Sequence, residues 1–298
     1  MKWEGNRESD NVEDRRGQGG GGGGGGFGFG GKSLGIGTIV IALLGSWIFG
    51  INPITMLNML SGGGGAVPMQ QEQQARAPAK APPANDRQVK FVSVVLADTE
   101  DVWTQLFKEQ GGAYRKPVLT VFSNRTATAC GTGQSASGPF YCPADQHVYL
   151  DMDFFKLMQQ RFDVSGEFAQ AYVIAHEVGH HVQHQLGLTD KVDNARRTSS
   201  EKEANAMSVK LELQADCFAG VWAFHANQAR GILEAGDVDA ALKAATAIGD
   251  DALQRRGQGQ VVPDSFTHGT SEQRARWFKK GLDSGQVAQC NTFGARQL

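Results

Sequence analysis

Apolar residues fall into distinct regimes along the chain. Residues 1–33 carry few of them, scattered among charges of both signs and then outnumbered by glycine, with no period of 2 or 3.6. Residues 34–51 (LGIGTIVIALLGSWIFGI) form a run without a single charge; at about 1.5 Å per helical residue this nearly crosses a hydrocarbon core and predicts a transmembrane helix. Polar tracts on both sides leave a buried helix nothing to pack on, and the long polar lead, with no A-x-A site after the run, argues against a cleaved signal peptide. Residues 52–86 again lack apolar periodicity and are dominated by Gly, Gln, Ala and Pro, the composition of a flexible spacer. From residue 87 to the end, structural periods return. Residues 89–96 (VKFVSVVL), 117–122 (PVLTVF) and 146–151 (QHVYLD) read as strands, and residues 99–110, 152–161, 167–186, 200–227, 238–254 and 271–280 as helices. Strands first and helices after predict an α+β domain over residues 87–298, with a small sheet and a mainly helical C-terminal part.

Composition sharpens this division. More than half of the 39 glycines lie within residues 1–65, so residues 1–33 are expected to be a disordered tail. Arg15, Arg16 and Lys32 precede the apolar run, whereas the next basic residue after it is Arg76. The positive-inside rule then places the tail in the cytoplasm and the domain in the periplasm, tethered to the inner membrane by one span through the lipid bilayer. A net charge of −2 with 20% charged residues excludes the basic footprint of a nucleic-acid binder. Four cysteines in an oxidising compartment permit three connectivities. Pairing Cys130 with Cys142 would close a short loop and contribute about 3 kcal/mol. Cys217 and Cys290 form a second candidate pair, although Cys217 on an apolar helix reads equally well as a buried thiol.

Four of the 7 histidines sit in residues 176–184, HEVGHHVQH. His176 and His180 are one helical turn apart on one face, so two imidazoles converge on a single tetrahedral ion. Glu177 projects beside that ion, where a carboxylate takes a proton from a metal-activated water. A third ligand decides between this and a chance HExxH. The metzincin continuation H-x-x-G-x-x-H is absent, because Gln183 and Leu186 stand at its Gly and His positions. A gluzincin takes a Glu from a later helix with an Asp four residues on, and Glu212-Leu213-Gln214-Ala215-Asp216 supplies both in an apolar stretch. Glu212 is then the third ligand to Zn²⁺, and Asp216 an outer partner of a ligand imidazole. His147, His181, His184 and His225 read as structural.

The glycine-rich tail, the apolar run, CGTGQSASGPFYCPADQHVYLD, HEVGHHVQHQLG and ELQADCFAGVWA together resemble the bacterial family named "putative neutral zinc metallopeptidases". The ELQAD and THGTSEQR segments are also similar to the ExxxD and TH-P-x-x-E-x-R patterns of the CAAX-prenyl endopeptidase group. That resemblance implies a carbonyl-side, oxyanion-stabilising role for His268 and a site-shaping role for Arg274, with Gly269 standing where that group has Pro. The function implied is a membrane-anchored zinc endopeptidase acting on peptides or proteins, with His176, His180 and Glu212 as ligands and Glu177 and His268 in the chemistry. The strand at residues 148–151 is placed to pair with an extended substrate. The alternative is a peptidase-fold binding or regulatory module at the membrane without useful turnover.

Overall fold

A computed structural model describes residues 1–16, 86–134 and 138–298. In chain order the elements are β1 (Val12–Asp14), α1 (Arg87–Glu109), β2 (Val118–Phe122), β3 (Arg125–Thr128), β4 (Gly131–Gln134), β5 (Phe140–Cys142), β6 (His147–Asp151), α2 (Asp153–Phe162), α3 (Glu167–Gln185), α4 (Leu188–Thr198), α5 (Glu201–Arg230), α6 (Asp237–Ala247), α7 (Asp250–Gln258) and α8 (Ser271–Ser284). Short 3-10 turns occupy Pro263–Ser265 and Val287–Cys290.

The main sheet has the order β1-β2-β6-β5. β1, β2 and β6 run parallel, with Val12 opposite Leu119 and Leu119 opposite Val148, and β5 runs antiparallel to β6. This corrects the strands-then-helices expectation. The domain is mixed α/β, because a long helix intervenes between the first two strands and parallel pairing requires such crossovers. β6 is interior to the sheet, paired with β2 along its whole length and with β5 at residues 147–149, so residues 148–149 have no free edge for a substrate and β5 holds the outer position there. The β3–β4 hairpin has a separate two-stranded ladder, and the Cys130–Cys142 disulfide ties its turn to β5.

The first strand expected from the pattern, residues 89–96, is instead the opening of α1. Asp86 caps it, its carboxylate accepting from the Gln88 and Val89 N–H groups. A continuous apolar run cannot distinguish a strand from a helix buried on all sides. The unexpected burial comes from residues 1–16, which lie over α1 and were expected to be disordered. Trp3 is buried and meets Phe91 edge-to-face at 5.4 Å. Ser9 and Asn11 donate to the buried Glu100 carboxylate, and Arg7 pairs with it at 3.0 Å. β1 then extends the sheet.

This arrangement overturns the predicted topology. Residues 1–16 contribute a strand and an aromatic anchor to the same body as residues 87–298, so both lie on one side of any membrane. A single crossing between a cytoplasmic tail and a periplasmic domain would tear β1 from β2. The run at residues 34–51 lies outside the described residues, as do residues 17–33 and most of the spacer. Among the described residues no helix is long and apolar enough to cross a membrane. The single-pass, inner-membrane assignment is therefore withdrawn.

The expected helix over residues 238–254 is also two, α6 and α7, broken at Gly249. A Cβ at Gly249 would overlap Ser271, so the break lets the start of α7 sit against the start of α8. Glycine has a similar role where helices cross. A Cβ on Gly220 would overlap the Phe278 carbonyl, and one on Gly281 the Cys217 carbonyl, so α5 and α8 approach backbone to backbone. The Cys217–Cys290 disulfide then fastens the C-terminal turn to α5.

Candidate metal centre

Helix α3 runs through the core, and its HEVGHH segment faces α5. Gly179 explains how close the two come: a Cβ there would lie 3.1 Å from the Ala215 carbonyl oxygen. Ala215 stands between Glu212 and Asp216, so this contact brings both carboxylates to the histidines. His176 Nε2 lies 3.2 Å from Glu212 Oε2, and His180 Nε2 3.5 Å from Glu212 Oε1. Ligand atoms of the three residues are all within 4.8 Å of one another.

The two imidazole-to-carboxylate separations fit a tetrahedral ion. With Zn–N and Zn–O bonds near 2.0–2.2 Å, donor atoms of a tetrahedral site lie about 3.4 Å apart. The donor set, two imidazoles and one carboxylate, is also one that zinc takes in catalytic sites, where a fourth position stays open.

Outer partners fix both rings. His176 Nδ1 lies 2.8 Å from Asp216 Oδ1, so the ring donates Nδ1–H to the carboxylate and turns Nε2 toward the site. Asp216 is fully buried and also accepts from Tyr172 Oη at 2.5 Å and from Arg274 Nε and Nη2, each at 2.9 Å. His180 Nδ1 lies 2.9 Å from Gln183 Oε1. The outer-partner expectation for Asp216 and the site-shaping one for Arg274 thus meet at one carboxylate. Tyr172 and Gln183 were not anticipated; Gln183 lies one turn after His180, a spacing legible in sequence once its amide is considered as an outer acceptor.

Charge follows from this packing. Burial raises the Asp216 carboxyl, but Arg274 and then His176 outweigh it and hold it at about 2. Burial lowers the His176 imidazole, but Asp216 and then Glu212 carry it up to about 10 in the metal-free chain. Glu212 is opposed by burial yet held well below the usual carboxylate range by His180 and His176. Glu177, next to His176 and buried, is pushed up by desolvation, with both histidines opposing. Its carboxyl has no hydrogen-bond partner among the described residues, which suits a group that exchanges protons.

His268 reaches this region from the loop before α8, close enough to Glu212 for their charges to act on each other. Burial opposes its protonation, but the hydrogen bond with Asp250 and the field of Glu212 raise its pKa. Asp250 is buried at the start of α7 and organises the whole loop. Its Oδ2 accepts from the N–H groups of Thr267, His268 and Gly269 at 2.6–3.0 Å, and its Oδ1 lies 3.1 Å from His268 Nδ1. Asp250 is hidden in the sequence because residues 238–254 read as one helix; the Gly249-Asp250 pair is the signal of a new start. Beside this loop a cavity of about 390 Å³ is lined by Val209, one turn before Glu212, with Phe266, Val261 and Gln273.

The other histidines have structural surroundings. His181 is buried between the Arg115 carbonyl and Tyr141 Oη, and burial lowers its pKa to about 4. His225 bonds the Gly285 carbonyl, and His147 lies against Thr120.

Comparison with known proteins gives the family. The chain is 50% identical over 295 residues to the uncharacterized protein YpfJ of Escherichia coli K12, covering 99% of both chains. It is 38% identical over 219 residues to the uncharacterized protein Rv2575 of Mycobacterium tuberculosis H37Rv, covering 70% of this chain and 73% of that one. No solved structure matches. The family model described as "Putative neutral zinc metallopeptidase" matches residues 1–293. The chain belongs to this zinc metallopeptidase family, whose cofactor is Zn²⁺ and whose substrates are proteins or peptides.

Proposed function

We propose that the chain is a zinc-dependent endopeptidase in which His176, His180 and Glu212 hold the metal and Glu177 is the general base and acid. The observation that carries this reading is the convergence of two imidazole Nε2 atoms and one carboxylate within 4.8 Å, each imidazole backed at Nδ1 by its own acceptor. Zinc bound there supplies a Lewis acid that lowers the pKa of a coordinated water toward ~7 and polarises the scissile carbonyl.

The protein supplies the remaining steps. Glu177, its carboxyl raised by burial, accepts a proton from the attacking water and returns it to the departing amide nitrogen. His268, oriented by Asp250, donates an N–H to the carbonyl oxygen as charge develops there. Asp216 keeps its negative charge throughout and holds His176 as an Nδ1–H tautomer.

The test is Glu177→Gln in the full chain. The variant is expected to keep wild-type zinc content and to lose at least about a hundredfold in cleavage of an unfolded protein substrate. Chelator-sensitive cleavage undiminished by this substitution would remove Glu177 from the mechanism. Full zinc binding by the wild type, with no turnover on any unfolded protein, would favour the binding module instead.

A further inference from the structure

Two glutamines lie where side-chain amides are expensive to bury. Gln183 on α3 has no exposed surface and Gln214 on α5 is 6% exposed. An amide in such a place is tolerated only when its donors and acceptors are met. Gln183 Nε2 donates to the Leu211 carbonyl at 2.7 Å and to Gln214 Oε1 at 3.1 Å. Gln214 Nε2 donates in turn to the Cys290 carbonyl at 2.9 Å. Gln183 Oε1 faces His180 Nδ1 at 2.9 Å.

The polarity of this chain of bonds is fixed at its ends. Backbone carbonyls only accept, so the Leu211 oxygen requires the NH₂ end of Gln183 and the Cys290 oxygen the NH₂ end of Gln214. Either amide turned over would place two oxygens face to face. With both orientations set, Gln183 can offer His180 only an acceptor. The ring must then carry a proton on Nδ1, which leaves Nε2 as the nitrogen turned toward Glu212 to bind a metal.

We propose that Gln183 is a positioning residue that locks His180 in its metal-binding tautomer, and that Gln214 anchors this lock to the disulfide-bonded turn at Cys290. The inference rests on the reading of His180 as a zinc ligand. Leu211 and Gln214 flank Glu212 in sequence, so the same bonds register α3 against the segment that carries the third ligand. Cys290 is itself joined to Cys217 on α5, so the far end of the lock is covalently held.

The test measures zinc affinity of the full chain by competition with a chelator, together with the ¹⁵N signals of the His180 ring in the metal-free protein. Gln183→Met preserves volume without presenting an amide; it is expected to weaken zinc about 10- to 100-fold and to shift the ring away from the Nδ1–H form. Gln183→Glu is expected to recover most of the affinity, because a neutral buried carboxyl keeps an oxygen toward His180 and an O–H for Leu211. Gln214→Met is expected to lose roughly three- to tenfold, as Gln183 loses one of the two acceptors that hold its amide in place. His180→Ala separates the two readings. If it leaves zinc affinity unchanged, the ligand assignment fails and the lock with it. If it abolishes binding while Gln183→Met stays within about twofold of wild type, or Gln183→Glu is as weak as Gln183→Met, the lock alone is overturned. Should Gln183→Met not fold, Gln214→Met decides: wild-type affinity and an unchanged ring tautomer overturn the proposal.

Discussion

Replacing Arg274 by Met would remove the positive charge facing a fully buried carboxylate. Asp216 would lose two charge-assisted bonds of 2.9 Å each and keep those from Tyr172 and His176. Removing one partner of a buried ion pair typically costs about 3–5 kcal/mol, because the other charge stays out of water. For a domain of this size each kcal/mol corresponds to about 2–4 °C, so the metal-free melting temperature should fall by about 6–20 °C. The pH profile should move as well. Asp216 is held at about 2, below its usual 3.8, so its contribution is present above 3.8 and lost as pH falls through 2. Without Arg274 the carboxyl rises and that acid limb shifts to higher pH. The assay is thermal unfolding with and without zinc, with Arg276→Met as control, since Arg276 forms an exposed pair with Glu272 worth about 0.3–0.5 kcal/mol. The double change Arg274→Met with Asp216→Leu should regain stability, having removed the orphan charge, but not zinc affinity, because His176 then lacks its acceptor. A metal-free Arg274→Met protein that melts within about 2 °C of wild type would refute this reasoning.

Two further outcomes follow from other parts of the molecule. Trp3→Ala should destabilise the domain by about 3–5 kcal/mol, since Trp3 packs on Phe91 with the Arg87 guanidinium 5.0 Å from its ring; unchanged chemical denaturation would mean that residues 1–16 are not part of the cooperative unit. In the metal-free chain His176, raised from 6.5 to about 10, contributes stability that is full below pH 6.5 and lost as pH rises through 10. Zinc needs the neutral ring, so binding at pH 8 should release about one proton; calorimetry giving the same heat in buffers of different ionisation enthalpy would exclude this.

The sequence was most legible where chemistry and period coincide. His176, Glu177 and His180 one turn apart, and Glu212 and Asp216 on an apolar stretch, declare both the site and the two helices that present it. The disulfide between Cys130 and Cys142 followed from its short loop, whereas that between Cys217 and Cys290 required the fold. β1 was not legible, because Val12–Asp14 pairs with β2 through its backbone and shows no alternation long enough to register. The misreading of α1 has the same origin: residues 91–96 are buried on every side because residues 1–16 cover the face that would otherwise meet water. Asp250 and Gln183 were missed for another reason. Each acts on a histidine through a hydrogen bond set by tertiary packing, at a position where sequence sees only an ordinary helix residue.

The three proposed ligands and their outer partners lie on α3, α5 and α8, and glycine sets the contacts among these helices. Gly179 lets α3 reach Ala215, and Gly220 and Gly281 bring α5 and α8 into backbone contact. Asp216 on α5 binds His176 on α3 and Arg274 on α8, so one carboxylate registers all three helices. The positions of the ligand atoms therefore follow from main-chain packing rather than from loops, and such an arrangement needs little reorganisation to accept a metal. His268 is different in kind. It sits on a loop rather than a helix, with Asp250 holding the N–H groups of Thr267, His268 and Gly269 and lying against the ring at Nδ1.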